Sequence, residues 1–138
     1  IVAEGNPRYD SRMNCNAIIE TATNTLIRGC PQTIIPESVT EIGEYAINDC
    51  EKQTSIIIPD NVTSIGVEAF CYCESLKSIT IPASVKSIGS QAFEWCKMLY
   101  SITFQGSIAQ WREIELGNLW NHEVLAKVVH CTDGDVEI

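Results

Sequence analysis

Apolar residues in this chain return on a fixed step. In one stretch they fall at Leu76, Ile79, Ile81, Val85, Ile88, Ala92, Phe93 and Cys96, and 23 residues further on Leu99, Ile102 and Phe104 repeat the first three. One step earlier stand Gln53, Ile56, Ile58, Val62, Ile65, Ala69, Phe70 and Cys73. One step before that come Cys30, Thr33, Ile35, Val39, Ile42, Ala46, Ile47 and Cys50. Pro36, Pro59 and Pro82 keep the same spacing, as do Gly43, Gly66 and Gly89. Self-similarity over 20–50 residues is the mark of a stacked repeat, in which no unit can bury its own apolar face and each relies on its neighbours.

Each step predicts its own elements. Alternation at Ile79 and Ile81 suits a strand with one buried face, and Pro82, which cannot donate to a ladder, ends it. Val85 and Ile88 turn inward on the return path. Gly89 marks a position that needs either a permissive φ or a close backbone approach. Ser90 to Cys96 reads as a short helical turn burying Ala92 and Phe93. The Leu76-x-x-Ile79-x-Ile81 spacing is the strand portion of a leucine-rich repeat. Equivalent strands then pair in parallel, about 4.8 Å apart. The predicted fold is an α/β repeat: a leucine-rich-repeat solenoid of short parallel strands and short helical turns, with a 23-residue period and a cap at each end. One domain spans 1–138, with an N-terminal cap at 1–28, repeats at 29–106 and a C-terminal cap at 107–138.

Both ends break the pattern, as terminal units of a stack must. Ile108 and Trp111 still hold the Val85 and Ile88 registers, but Arg112 stands where the next glycine is expected. Ser107 to Gln110 reads as a capping box opening a short helix, and Trp111 and Trp120 supply area to cover an open end. Val128, Val129, Val136 and Ile138 flank a predicted hairpin turn at Asp133-Gly134. At the front, two short strands are expected around Ala22-Thr23-Asn24, behind a polar loop from Asn6 to Asn16. Opening at Ile1 in mid-pattern, without a signal region, suggests a piece excised from a longer array.

Composition narrows the classes of partner. The 138 residues carry a net charge of −9 from 18 acidic and 9 basic side chains. That balance argues against nucleic acid, which needs clustered Lys and Arg, and against docking on anionic lipid. No apolar run approaches the ~18 residues that span a bilayer. Of the seven cysteines, Cys50, Cys73 and Cys96 sit in register and read as a buried ladder of small hydrophobes; disulfides are the alternative. An odd number leaves at least one thiol unpaired within a monomer.

Candidate chemistry is thin. Cys71, Cys73, His130 and Cys131 invite a zinc reading, but the spacing is wrong. Cys71 with His122 or His130 lacks an evident orienting group for nucleophilic work. Asp133 and Asp135 lack the later ligands of a calcium loop. Asn61-Val62-Thr63 is a glycosylation sequon lying in a repeat turn. No catalytic, cofactor-binding or metal residues are therefore assigned. What remains is surface. Outward strand positions form two rows, Gln32, Ser55, Ser78 and Ser101, and Ile34, Ile57, Thr80 and Thr103. Tyr72 and Trp95, one period apart, mark an aromatic edge. These ten residues are the candidate partner-binding set, although small polar and β-branched residues are also simply good strand formers, and the aromatic pair can equally shield the coil.

The words SVTEIGEYAINDC, NVTSIGVEAFCYC and SVKSIGSQAFEWC, each preceded by I-P and one further residue, resemble the repeat of BspA-like leucine-rich repeat proteins. The likeness covers about residues 26 to 106, and the two end segments resemble family caps. Ile47 replaces the usual Phe, Cys71 a usually polar residue and Gln53 the usual Leu. The resemblance implies an exported or surface-attached bacterial protein, at the cell surface or extracellular, that adheres to a host or bacterial surface protein or glycan. It brings no catalytic residues and no cofactor. Expected of the chain, then, is a non-catalytic binding or adhesion module; the alternative is a rigid spacer within a larger surface protein. Changing Ser78, Thr80 and Ile57 to charged residues separates the two.

Overall fold

The computed structural model describes residues 2–30 and 32–138; Ile1, where the chain opens in mid-pattern, lies outside the described residues. Among the described residues, twelve short strands and one helical turn follow each other along the chain. They are β1 (Tyr9–Asp10), β2 (Ile18–Glu20), β3 (Thr25–Arg28), β4 (Glu41–Ile42), β5 (Ser55–Ile57), β6 (Ser64–Ile65), β7 (Ser78–Ile81), β8 (Ser87–Ile88), β9 (Ser101–Phe104), α1 (Ile108–Trp111), β10 (Glu115–Leu116), β11 (Val128–Cys131) and β12 (Gly134–Glu137). A 3₁₀ turn at Arg12–Asn14 lies between β1 and β2.

The coils stack as a leucine-rich-repeat solenoid with the expected period. From the second coil on, each contributes one strand to each of two sheets, while the first contributes β4 alone. One sheet runs β1-β2-β3-β4-β6-β8-β10, the other β12-β11-β9-β7-β5. Pairing between coils is parallel and in register, so Ser55, Ser78 and Ser101 align, as do Ile56, Ile79 and Ile102. Ile58, Ile81 and Phe104 form one buried inner column, with Ile81 opposite Phe104, and Ile35 is buried at its N-terminal end.

The third side of each coil is a ladder of a different kind. Ser90 to Cys96 and its equivalents are mostly strand-free turns, with little regular helix. Alternate amides there bond within the coil, as Ala92 to Gly89 and Cys96 to Phe93. The amides between them donate to the next coil: Phe70 to Ala92 at 2.8 Å, Tyr72 to Glu94 at 2.9 Å, Phe93 to Trp120 at 2.8 Å. Tyr45, Glu68 and Gln91, and again Asp49, Tyr72 and Trp95, take positive φ to keep this alternation. A continuous α-helix would spend those donors internally, which is why the helical turns stop at single i→i−3 closures.

The glycine column is a close approach, not a special φ. Gly66 and Gly89 lie against the preceding coil, where a Cβ on Gly89 would sit 2.5 Å from the Val67 nitrogen. At the C-terminal end the column continues at Gly117, whose N–H bonds Ile88, and not at the Arg112 position. The fourth coil is longer by the residues that build α1, so Glu115 and Leu116 pair with Ser87 and Ile88. The predicted capping box is formed: Ser107 Oγ accepts from the Gln110 N–H, and Gln110 Oε1 accepts from the Ser107 N–H.

Trp111 and Trp120 are buried, packed on Phe104 and Phe93 and on each other with ring centroids 5.7 Å apart. The tail forms an antiparallel hairpin, with Cys131 opposite Gly134, so its turn is Thr132-Asp133, one residue earlier than predicted. The front segment contains β1 and is thereby more ordered than a loop: Tyr9 and Asp10 pair antiparallel with Glu20 and Ile19. Asp10 also binds the Arg12 guanidinium at 2.7 Å.

Candidate functional site

The ten candidate residues separate into two groups on different sides of the coil. On the five-stranded sheet, Ser55, Ser78 and Ser101 form one outward row, and Ile57, Thr80 and Thr103 a second. Exposure falls along both rows, from fully outward on β5 to half-buried on β7 and β9. Gln32 and Ile34 extend the rows in sequence but lie outside any strand. Gln32 takes a φ of 75° and donates its N–H to the Gln53 side chain at 2.9 Å.

In the opposite direction the second row runs further than the 23-residue step reveals. Thr103 is opposite His130 on β11, and His130 opposite Asp135 on β12. His130 Nδ1 lies 2.8 Å from Asp135 Oδ1. The row thus grades from apolar Ile57, which is 73% exposed, through two threonine hydroxyls to an imidazole–carboxylate pair.

Tyr72 and Trp95 stand on the third side. Their rings are stacked, 6.1 Å apart and 4° from parallel. Lys97 Nζ lies 5.1 Å from the Trp95 ring centroid, and His122 meets Trp95 edge-on at 6.1 Å. Glu94 Oε1 is 3.1 Å from His122 Nδ1. This column therefore joins two aromatic rings, an imidazole, an ammonium and a carboxylate. The sequence offers His122 only as a base for Cys71; its place beside Trp95 does not follow from the 23-residue step because the α1 insertion intervenes. Counted from Gly117, His122 holds the register of Glu94, and the two lie side by side across neighbouring coils.

The cysteines are all free thiols. Cys50, Cys73 and Cys96 form the buried ladder, with Cys73 Sγ donating to the Ile47 carbonyl at 3.0 Å and Cys96 Sγ to that of Phe70 at 3.1 Å. Cys71, which has no counterpart in the ladder, is also buried. Burial, then the nearby charges of Glu68 and Glu94, push its thiol up to about 11. It is a thiol at neutral pH, whereas nucleophilic attack needs the thiolate. Among the described residues no three His, Cys, Asp or Glu side chains gather to hold a metal ion. Asp133 Oδ1 accepts the Ile108 N–H at 2.7 Å, tying the tail to the start of α1. Asn61 of the sequon donates to the Glu37 carbonyl of the preceding coil at 2.7 Å, which gives that residue a structural use.

The surface concavities are shallow grooves. One, of about 370 Å³, lies between Thr33–Ile35 and β5, with Gln53, Glu37 and Pro59 at its margins.

The model of the BspA type leucine rich repeat region matches residues 24–122 in six copies. The chain belongs to this family. A leucine rich cell surface protein from Faecalibacterium prausnitzii A2-165 is similar in structure, with a TM-score of 0.48 and 25% identity over 80% of this chain. The chain spans 43% of that protein's length. No curated protein matches the chain at a significant level.

Proposed function

We propose that this BspA-type repeat chain is a non-catalytic binding module of a bacterial surface or secreted protein, and that it holds a protein or glycan partner on the outward face of the five-stranded sheet. The observation that carries the reading is the in-register pair of rows Ser55-Ser78-Ser101 and Ile57-Thr80-Thr103, prolonged by His130 and Asp135. Regular hydroxyls at strand spacing present donors and acceptors to a partner at many weak points, and Ile57 adds an apolar contact. The aromatic column of Tyr72 and Trp95 is a second contact edge, of the residue types favoured at interfaces. Membership of a repeat family supports a role in binding over one in catalysis.

Binding to a panel of surface proteins and glycans tests this, comparing the native chain with a Ser78→Glu, Thr80→Lys, Thr103→Glu variant. Loss of a ligand by about tenfold or more, equivalent to ~1.4 kcal/mol, with the fold retained, is the expected result. An unchanged affinity would remove the sheet face from the account. A rigid spacer is the second reading. It is favoured by the three inter-coil ladders, which make the stack stiff along its axis, and it predicts no ligand at all.

A further inference from the structure

The two sheets are closed at opposite ends. At the N-terminal end the seven-stranded sheet is finished by the antiparallel strand β1, while the five-stranded sheet stops at β5. At the C-terminal end β12 finishes the five-stranded sheet by the same device. The first coil supplies a segment, Gln32 to Pro36, that runs beside β5 without pairing to it. Among the described residues no backbone hydrogen bond joins that segment to Ser55–Ile58.

The polarity of β5 shows which groups are left. Thr54 accepts from Ser78 and Ile58 donates to Thr80, so those residues face β7. Successive residues of a strand alternate in direction, so Ser55 and Ile57 direct their amide groups at the open edge. The Ser55 carbonyl is occupied by the Gln53 side-chain amide at 3.0 Å, and Gln53 Oε1 by the Gln32 N–H. The groups of Ile57 are not met in this way. Its side chain is 73% exposed, and across the groove that of Ile34 is 77% exposed. An unpaired edge flanked by exposed β-branched residues is a template for another strand, and strand addition is a recurring mode of peptide capture.

We propose that this groove binds an extended peptide, which adds to the edge of β5 through the N–H and carbonyl of Ile57 and sets an apolar, β-branched side chain between Ile34 and Ile57. The occupant is cationic. Among the described residues that line the groove Glu37 is the charged one and none is Lys or Arg, and the chain as a whole carries −9. A second copy of the chain would bring Glu37 and a like net charge against the same edge. The inference rests on the reading of the chain as a protein-binding module and places one peptide-recognising position within it.

The probe is an acetylated, amidated hexapeptide of alternating valine and lysine, titrated into the intact chain by NMR or calorimetry. Expected is saturable binding at or below about 1 mM, or ~4 kcal/mol, with shifts centred on Ile34, Gln53 and Ile57. Ile57→Pro removes the outward N–H at an edge position where proline is tolerated and should weaken binding at least about tenfold. Should that variant fail to fold, N-methylation of the peptide backbone tests the same bonds on the native chain and should abolish binding. Binding that survives both changes, or none at this concentration, overturns the inference. So does a concentration-dependent dimer that Ile57→Pro dissolves, which would make a second copy the occupant. The variant Ser78→Glu, Thr80→Lys, Thr103→Glu, used for the sheet face, should leave hexapeptide binding within about twofold. If it alone abolishes binding, the edge fails and the face reading stands.

Discussion

At the scale of single residues, the stack is held where side chains are smallest. Gly89 has the preceding coil's backbone 2.5 Å from where a Cβ would lie, and backbone cannot yield as a side chain can. Gly89→Ala should therefore cost about 2–4 kcal/mol, at or above the usual range for overpacking, read as a lowered midpoint in denaturant titration. Asp10 gives a pH-dependent effect. The hydrogen bonds from Arg12 hold its carboxyl at about 2, against an ordinary 3.8. The folded pKa is the lower one, so the stabilisation is present above about pH 4 and is lost as pH falls toward 2. Asp10→Asn should flatten the stability–pH profile in that window and leave the neutral-pH slope unchanged. An equal acid-induced loss in the variant would show that Asp10 is not its source.

At the scale of elements, the caps decide whether the outermost coils hold. Trp120 is buried between Phe93 and Trp111, so Trp120→Ala should cost about 3–5 kcal/mol. Ser107→Ala removes one member of the α1 capping box and should cost only ~1 kcal/mol. Thermal melts of the two variants should rank in that order. These elements also show what the chain disclosed. The strands of the five-stranded sheet within the repeats, the proline stops, the glycine contacts and the Ser107–Gln110 box are readable because each depends on residues within one step, whereas the return path that carries Val85 and Ile88 reads only as turning inward and forms the short strands of the second sheet. The turn at Ser90 to Cys96 is less readable too. Its apolar spacing is compatible with a helix, and only the neighbouring coil's carbonyls decide otherwise. The 23-residue count points to Arg112 for the next glycine, but the extra residues of α1 move Gly117, Trp120 and His122 off the step. Of the candidate surface, the rows on β5, β7 and β9 followed from alternation. Their continuation through His130 and Asp135 did not, because β11 pairs with β9 beyond the same insertion. The period alone places Gln32 and Ile34 on a strand, though the first coil diverges there.

At the scale of the whole molecule, stability comes from neighbours. Coils are joined on three sides, by two sheets and by the turn ladder, and each contacts the next. Such a stack approximates a one-dimensional array, so damage at one end should spread inward by coils and not by sheets. The sheet face inherits its regularity from the same stacking, and a binding surface built this way gains area with each added coil. The most direct test is residue-resolved amide hydrogen exchange by NMR. Donors that cross between coils on all three sides, Ile58, Phe70, Lys86 and Gln105, should exchange only through near-global unfolding, while the edge amide of Ile57 exchanges fast. Fast exchange at those four donors, or protection on one side of the coil alone, would contradict the account of coils stacked in register.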